Sequence, residues 1–438
     1  MYRRSDKVDR KQNERIASIT ENTLVIGCDI GSSIHYGRAF NYRGIELSGK
    51  PFRFSNDQAG FQSLKTWIDG IKKKDGLEEA VIGFEPTGHY WFNLGNYLKS
   101  IGIRMVMVNP AHVKRSKEFD DNTQNKTDLK DPKVVAKLVI EGRFTDIYIP
   151  EGDYAECRNA SFLRSQIIKS IVADKNSLHR WLSIHFPEYM SVYRVFTAKS
   201  GLLILKAAPF PDEIVNLGTE GINRIWRASK VRGVGMKKAD ALYEAAKDSI
   251  GTVQGREAER LYVRVLIEDL ERKQEQLEQV TEKLEELCEK LPEAKHMLSI
   301  PGVGVGTVTG FLGETGELSR FKNPRQIQKL AGLSLVECSS GKHQGQTRIS
   351  HRGRKRLRHL LFDASLMLVA NNPEFKALHL HYTTRKENPL KKKQSIIVIS
   401  CKLIRVFYSL ATQKVDYDPG RLTADTRLPD TDSSPANL

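Results

Sequence analysis

The amino-acid sequence predicts an α/β N-terminal domain on a mixed sheet, a helical region with a coiled coil, and a mainly α C-terminal domain carrying a helix-hairpin-helix turn and a β-hairpin. Three observations predict it. From Leu24 to about Pro150, short apolar runs bounded by Gly, Pro and Asp alternate with amphipathic stretches, as strands feeding helices do. Leucines then recur every seven residues at Leu270, Leu277, Leu284 and Leu291, with Leu266, Val280 and Leu287 at the alternate seam position. Beyond them, Pro301-Gly302-Val303-Gly304 separates two helical stretches, and Ser339-Ser340-Gly341 closes an extended one.

Taken in order, residues 1–23 are dense in charge and lack an apolar signal-peptide run, which predicts a flexible leader. The first domain covers residues 24–154. Its strands are Leu24–Cys28, about Ile34–Tyr42, a paired segment at Pro51–Phe54, Ala80–Phe84 and Arg104–Val108. Its helices are about Phe61–Lys72, Tyr90–Ser100 and Pro132–Glu141. A meander followed by alternating strands and helices needs a mixed sheet, and acids at the ends of such strands fall along one edge.

Residues 155–255 read as helical and basic, with turns at Pro187, Pro209-Phe210-Pro211 and Gly233-Val234-Gly235. The coiled coil takes residues 256–292, interrupted by Lys273 at a seam position and ended by Pro292. Its charged flanks suit a dimer contact; an internal helical hairpin is the other way to cover the seam. The third domain spans residues 293–412. It holds the turn at Gly302 and Gly304, a helix capped by Asn323 and started by Pro324, strands at Leu333–Ser340 and Gln346–Ser350, and a long helix from about Arg354. Residues 413–438, rich in Asp, Thr, Pro and Ser, predict a disordered tail.

The 69 Lys and Arg against 53 Asp and Glu give a net charge of +16, which points to a polyanionic partner. The cysteines, Cys28, Cys157, Cys288, Cys338 and Cys401, are scattered without CxxC spacing, so neither a zinc site nor a disulfide frame is suggested. No stretch of about 18 apolar residues stands out. The expectation is a soluble cytoplasmic protein with no membrane partner.

Against that charge, four acids stand out: Asp29, Glu85, Asp128 and Asp131. Asp29 and Glu85 each end a buried apolar run, and Asp128 and Asp131 lie three apart where a helix begins at Pro132. Singly, each could be a turn or capping residue. Together, convergent carboxylates in a phosphate-seeking chain suit Mg²⁺ or Mn²⁺, held by hard oxygen ligands on either side of a phosphodiester. A second constellation is the serine turn followed by Lys342, Arg348, Arg352, Arg354, Lys355, Arg356 and Arg358, seven positive charges in seventeen residues with no acid among them. A serine exposed beside guanidinium groups has what a phosphoryl-transfer nucleophile requires, although such a turn is usually only a turn. The glycines Gly302 and Gly304 let a tight turn aim backbone N–H groups at a phosphate. His35, His89 and His112 show no metal-ligand spacing.

The ordered set of motifs, Asp29, Glu85-Pro-Thr-Gly-His-Tyr, Val108-Asn109-Pro110, Lys126-Thr127-Asp128-x-x-Asp131, Pro301-Gly-Val-Gly and Ser-Ser-Gly with Ile349-Ser350-x-Arg-Gly, resembles the DEDD-type transposases of the insertion-sequence-110 family, relatives of the Piv and MooV invertases. The resemblance runs from about Leu24 to about Leu410. It implies a RuvC-like (RNase H fold) first domain whose tetrad binds Mg²⁺, a dimer or tetramer joined through the coiled coil, and a bacterial, nucleoid-associated location. It also implies that Ser340, with Ser339 as the alternative, attacks DNA to form a phosphoserine intermediate, and that a bridge RNA selects element ends and target. Two other readings of the residues stand beside it. One is an actin- or sugar-kinase-like ATPase, after Gly27-Cys28-Asp29-Ile30-Gly31-Ser32; the other is a non-catalytic nucleic-acid-binding protein.

Overall fold

The computed structural model describes residues 5–86, 88–120, 131–252, 254–336, 339–340, 343–344 and 347–424, and the chain divides into two units, Met1–Ile149 and Pro150–Leu438. In the first unit, α1 (Ser5–Ala17) precedes β1 (Thr23–Ile30), β2 (Ile34–Phe40), β3 (Phe52–Ser55), α2 (Gln58–Asp75), β4 (Glu79–Phe84), α3 (Trp91–Ser100), β5 (Arg104–Val108), α4 (Pro110–Asp120), α5 (Asp131–Ile140) and β6 (Phe144–Asp146). The sheet order is β3-β2-β1-β4-β5-β6. β1, β2 and β3 form an antiparallel meander, β1, β4 and β5 run parallel, and β6 returns antiparallel. The mixed sheet and the alternation of strand and helix are those the apolar runs predict.

Local chemistry fixes the ends. Asp57 accepts a hydrogen bond from Gly60 N at 2.7 Å and starts α2, and Gly76, at φ 68°, stops it in the left-handed conformation. One face of the sheet buries Leu24, Ile26, Cys28, Ile82 and Phe84 against α2 and α3; the other buries Val25, Val81 and Val106 against Val134, Val135, Leu138 and Val139 of α5. His35 is fully buried against Phe54 and Phe61, and burial holds its pKa below the ordinary value, so it is a core residue. The expected flexible leader is helical from Ser5: its Lys, Arg, Glu and Gln are good helix formers, and Gln12 Nε2 donates to Glu141 O at 2.9 Å. Helix α4 and strand β6 were not anticipated from periodicity, because the first is mostly polar and the second only three residues long.

In the second unit the helices are α6 (Gly152–His185), α7 (Tyr189–Val192), α8 (Lys199–Ala207), α9 (Pro211–Ala228), α10 (Met236–Lys247), α11 (Arg256–Lys290), α12 (Pro292–Leu298), α13 (Val305–Thr315) and α14 (Pro324–Leu330). Short strands β7 (Leu335–Val336), β8 (Ser339–Ser340), β9 (His343–Gln344) and β10 (Arg348–Ile349) precede α15 (Lys355–Asn371), α16 (Pro373–Thr384), α17 (Lys392–Gln413) and α18 (Pro419–Ala424). Two cores result. One gathers Trp181, Phe210, Trp226 and Leu270; the other gathers Leu284, Leu287, Phe311, Leu361, Phe375 and Phe407. Leu270, Leu284, Leu287 and Leu291 are thus buried by the chain itself, with α11 packed along α6.

The interruption at Lys273 has a partner there. Its Nζ lies 2.6 Å from Asp174 Oδ2 on α6, with both side chains mostly buried. Lys273→Leu is expected to destabilise the unit by roughly 2 kcal/mol, less than a fully buried pair because some exposure remains, by leaving Asp174 uncompensated. Denaturant unfolding checks this: Asp174→Leu combined with Lys273→Leu should recover most of the loss, and a single variant as stable as wild type would exclude the pair as a register device.

Helix α17 is long and apolar enough by composition to cross a membrane, a stretch the sequence reading passed over; its Ile399, Leu403, Ile404 and Phe407 lie in the second core. The predicted tail is ordered as far as residue 424, with Leu422 buried and Tyr417 N donating to Ser299 Oγ at 2.7 Å; residues 425–438 lie outside the described residues.

Candidate functional site

Alternation along β1 and β4 decides which side chains share a face. Gly27 and Gly83 are register partners in the α5-facing row. Both positions need glycine because α5 leaves no room: an added Cβ would stand 1.8 Å from Pro132 O at Gly27 and 2.4 Å from Val139 Cγ2 at Gly83. Asp29 is next in that row, opposite Tyr36 of β2. Glu85 follows Gly83 in the same way, one residue past the last registered pair, Cys28 with Phe84. Asp131 opens α5, one residue before the Pro132 carbonyl that covers Gly27. Asp29, near the end of β1, Glu85, just past β4, and Asp131, the first residue of α5, are all half-buried.

Asp128 lies outside the described residues. Among the described residues, no three His, Cys, Asp or Glu side chains form a group able to hold a metal ion by themselves. The donor chemistry nevertheless fits a hard divalent cation, since the three acids offer only carboxylate oxygens. The one thiol beside them is inert: burial, with the neighbouring Asp29 charge, pushes Cys28 far above the ordinary thiol range.

In the second unit the backbone makes a hairpin in two short pieces, with a strand at His343–Gln344 inside the stretch expected to be the connecting loop. β7 pairs with β10, Leu335 opposite Ile349 and Val336 opposite Arg348, and β8 pairs with β9, Ser339 opposite Gln344 and Ser340 opposite His343. Ser340 therefore ends its strand, and only Gly341 and Lys342, outside the described residues, join it to His343. The base of the hairpin is fixed by backbone packing. A Cβ on Gly353 would lie 2.4 Å from Gly332 N, and Ser350 N donates to Ser334 O at 2.8 Å. The Ile-Ser-x-Arg-Gly block is thus a docking motif that seats the hairpin on the end of α14.

The basic stretch divides by duty. Arg358 Nη1 donates to Ala331 O at 3.0 Å and His351 O at 3.2 Å, which clamps the hairpin base. Arg354 Nη1 donates to Glu314 O and lies 3.4 Å from Glu314 Oε2. Arg348, Arg352, Lys355 and Arg356 are exposed. In the turn between α12 and α13, Gly302 is exposed with φ 93°, in the region that favours glycine, and Gly304 caps α13. Sequence reasoning missed Glu314, which no local motif marks. It also missed a cleft of about 710 Å³ in the first unit lined by Arg43, Arg115, Lys137 and Arg143, whose basic residues are dispersed along the chain.

Residues 26–187 match a family model described as Transposase, which sets the class: this is a transposase-type chain with its acids in the matched region and its serine hairpin elsewhere. Residues 294–380 match a second model, described as Transposase IS116/IS110/IS902 family, and with both matches spanning more than half its length the chain belongs to that family. It is 22% identical to the insertion element IS900 uncharacterized 42 kDa protein of Mycobacterium paratuberculosis, over 91% of this chain and 98% of that one. It is also 22% identical to the insertion element IS116 uncharacterized 44.8 kDa protein of Streptomyces clavuligerus, over 92% and 98%. A pilin gene-inverting protein of Moraxella bovis is 32% identical over 29% of this chain and 40% of its own length. Neither match supports the kinase-like reading.

Proposed function

We propose that the chain is a DNA recombinase that excises and inserts its own mobile element by Mg²⁺-dependent strand transfer through a serine–DNA intermediate. The observation that carries it is that Asp29, near the end of β1, and Glu85, just past the end of its parallel neighbour β4, follow the register partners Gly27 and Gly83, while Asp131 opens the helix whose Pro132 carbonyl covers Gly27. The strand order β3-β2-β1-β4-β5, meander first and parallel strands after, supports reading the first unit as a RuvC-like RNase H fold. Asp29, Glu85, Asp131 and Asp128 would hold the metal. When bound, divalent magnesium offsets charge that develops on a phosphodiester under attack.

Ser340 is the nucleophile. Its hydroxyl oxygen bonds to phosphorus as the bond from phosphorus to a sugar oxygen breaks; the hydroxyl proton leaves and the released sugar oxygen gains one. A sugar hydroxyl of the incoming strand then attacks the phosphoserine and returns Ser340 to its free form. Arg348, Arg352, Lys355 and Arg356, which are exposed, together with Lys342, contact the backbone, and the Gly302–Gly304 turn serves as a helix-hairpin-helix phosphate contact. A bridge RNA selects element ends and target, and the active form is a dimer or tetramer. The seam leucines are covered within each chain, so a second copy would meet the outer faces of α11, which carry exposed Leu261, Tyr262 and Val265 beside their charges.

Purified protein, its copurifying RNA and a plasmid carrying the element ends test this reading. The expected product is a sealed recombinant junction, lost with a chelator and restored by Mg²⁺ or Mn²⁺, with element-derived sequence in the RNA. Unjoined nicks alone, or junctions formed in chelator, would overturn it.

A further inference from the structure

Glu314, on the last turn of α13, is the only acidic side chain among the described residues in the buried class, at 5% exposure. A carboxylate removed from water needs cations, and it has two: Arg354 Nη1 is 3.4 Å from Oε2 and Arg356 Nη1 is 3.3 Å from Oε1. Oε1 receives no hydrogen bond, so its contact with Arg356 is a Coulomb one. A third guanidinium, Arg158 of α6, is near enough for its charge to lower the pKa of Arg356, after burial as the main cause. The α6 backbone is drawn in here because α13 is small: a Cβ on Gly313 would meet Arg158 Cα at 2.7 Å. Two arginines thus share one carboxylate, and the charge of a third acts on one of them.

Beside them Arg356 lies over the ring of Phe162, 4.6 Å from its centre, yet Phe162 remains 46% exposed. A lone exposed Phe is unremarked on a protein surface; one flanked by surplus guanidinium charge has the composition of a strand-binding platform. We propose that Arg158, Phe162 and Arg356, keyed by Glu314, bind a single nucleic-acid strand, with a base stacked on Phe162 and the adjoining phosphates at Arg158 and Arg356. This rests on the nucleic-acid reading above and adds a surface on α6 outside the serine hairpin.

Fluorescence anisotropy of the full chain with labelled single-stranded DNA and RNA of one sequence tests it, and the two arms tell which strand the platform takes. Phe162→Ala should weaken binding about tenfold, the loss of one stacked base, with the salt slope unchanged. Arg158→Gln should flatten the log–log salt slope by about 0.7. Phe162→Trp should keep affinity and gain a fluorescence quench on binding. Wild-type affinity in folded Phe162→Ala, or a change in oligomeric state with affinity intact, overturns the platform alone. Failure of the wild type to bind either strand while it still binds element-end duplex also overturns the platform alone; failure to bind the duplex as well overturns the parent reading along with it.

Discussion

Asp29→Asn is expected to lower strand cleavage by about 10³-fold, equivalent to roughly 4 kcal/mol of transition-state stabilisation. The substitution keeps the shape of the side chain and its place opposite Tyr36, so the sheet should survive. The melting temperature should therefore stay close to that of wild type. DNA affinity should change little, because the basic residues named above belong to other elements. A gel assay of cleavage, beside a melt and a binding curve on the same preparation, checks all three. A variant that cleaves at the wild-type rate would remove Asp29 from the site.

The second large effect is structural. Gly27→Ala places a methyl group where Pro132 O now stands 1.8 Å away, and a backbone carbonyl cannot swing aside as a side-chain tip can. Helix α5 must lift from β1, which should cost about 3 kcal/mol and lower the melting temperature by roughly 10 °C. Because Asp131 begins that helix, activity should fall further than stability alone explains. Gly70→Ala is the control: it sits within α2 with nothing inside 4 Å of an added Cβ, and should be neutral or stabilise by up to about 1 kcal/mol. A Gly27→Ala protein that melts with wild type would mean that α5 does not rest on β1 at this point.

The strand ends at Asp29 and Glu85 were legible in the sequence because both acids close short apolar runs, bounded by turn residues, of the length a buried strand takes. Their shared face was not, since it depends on the parallel register of β1 with β4, a long-range pairing no local pattern encodes. The serine hairpin was legible from the extended stretches at Leu333–Ser340 and Gln346–Ser350 on either side of a glycine-bounded turn. The split of its basic residues was not: Arg358 and Lys355 look alike in sequence, and only the Ala331 and His351 carbonyls assign the first to the fold. The heptads read as a surface seam because α6, which covers them, has no comparable repeat. Glu314 is a residue that neighbours in sequence could not reveal, since Arg354 and Arg356 lie some forty positions on.

The proposed mechanism turns on one bond, between Ser340 and DNA. Wild-type protein incubated with Mg²⁺ and a nicked element-end duplex, then denatured, digested and measured by peptide mass spectrometry, reports it directly. The predicted result is a nucleotide phosphodiester on the peptide that contains Ser340, absent from Ser340→Ala and much reduced in Asp29→Asn. Efficient strand joining with that peptide unmodified, or with the nucleotide on another side chain, would contradict the mechanism.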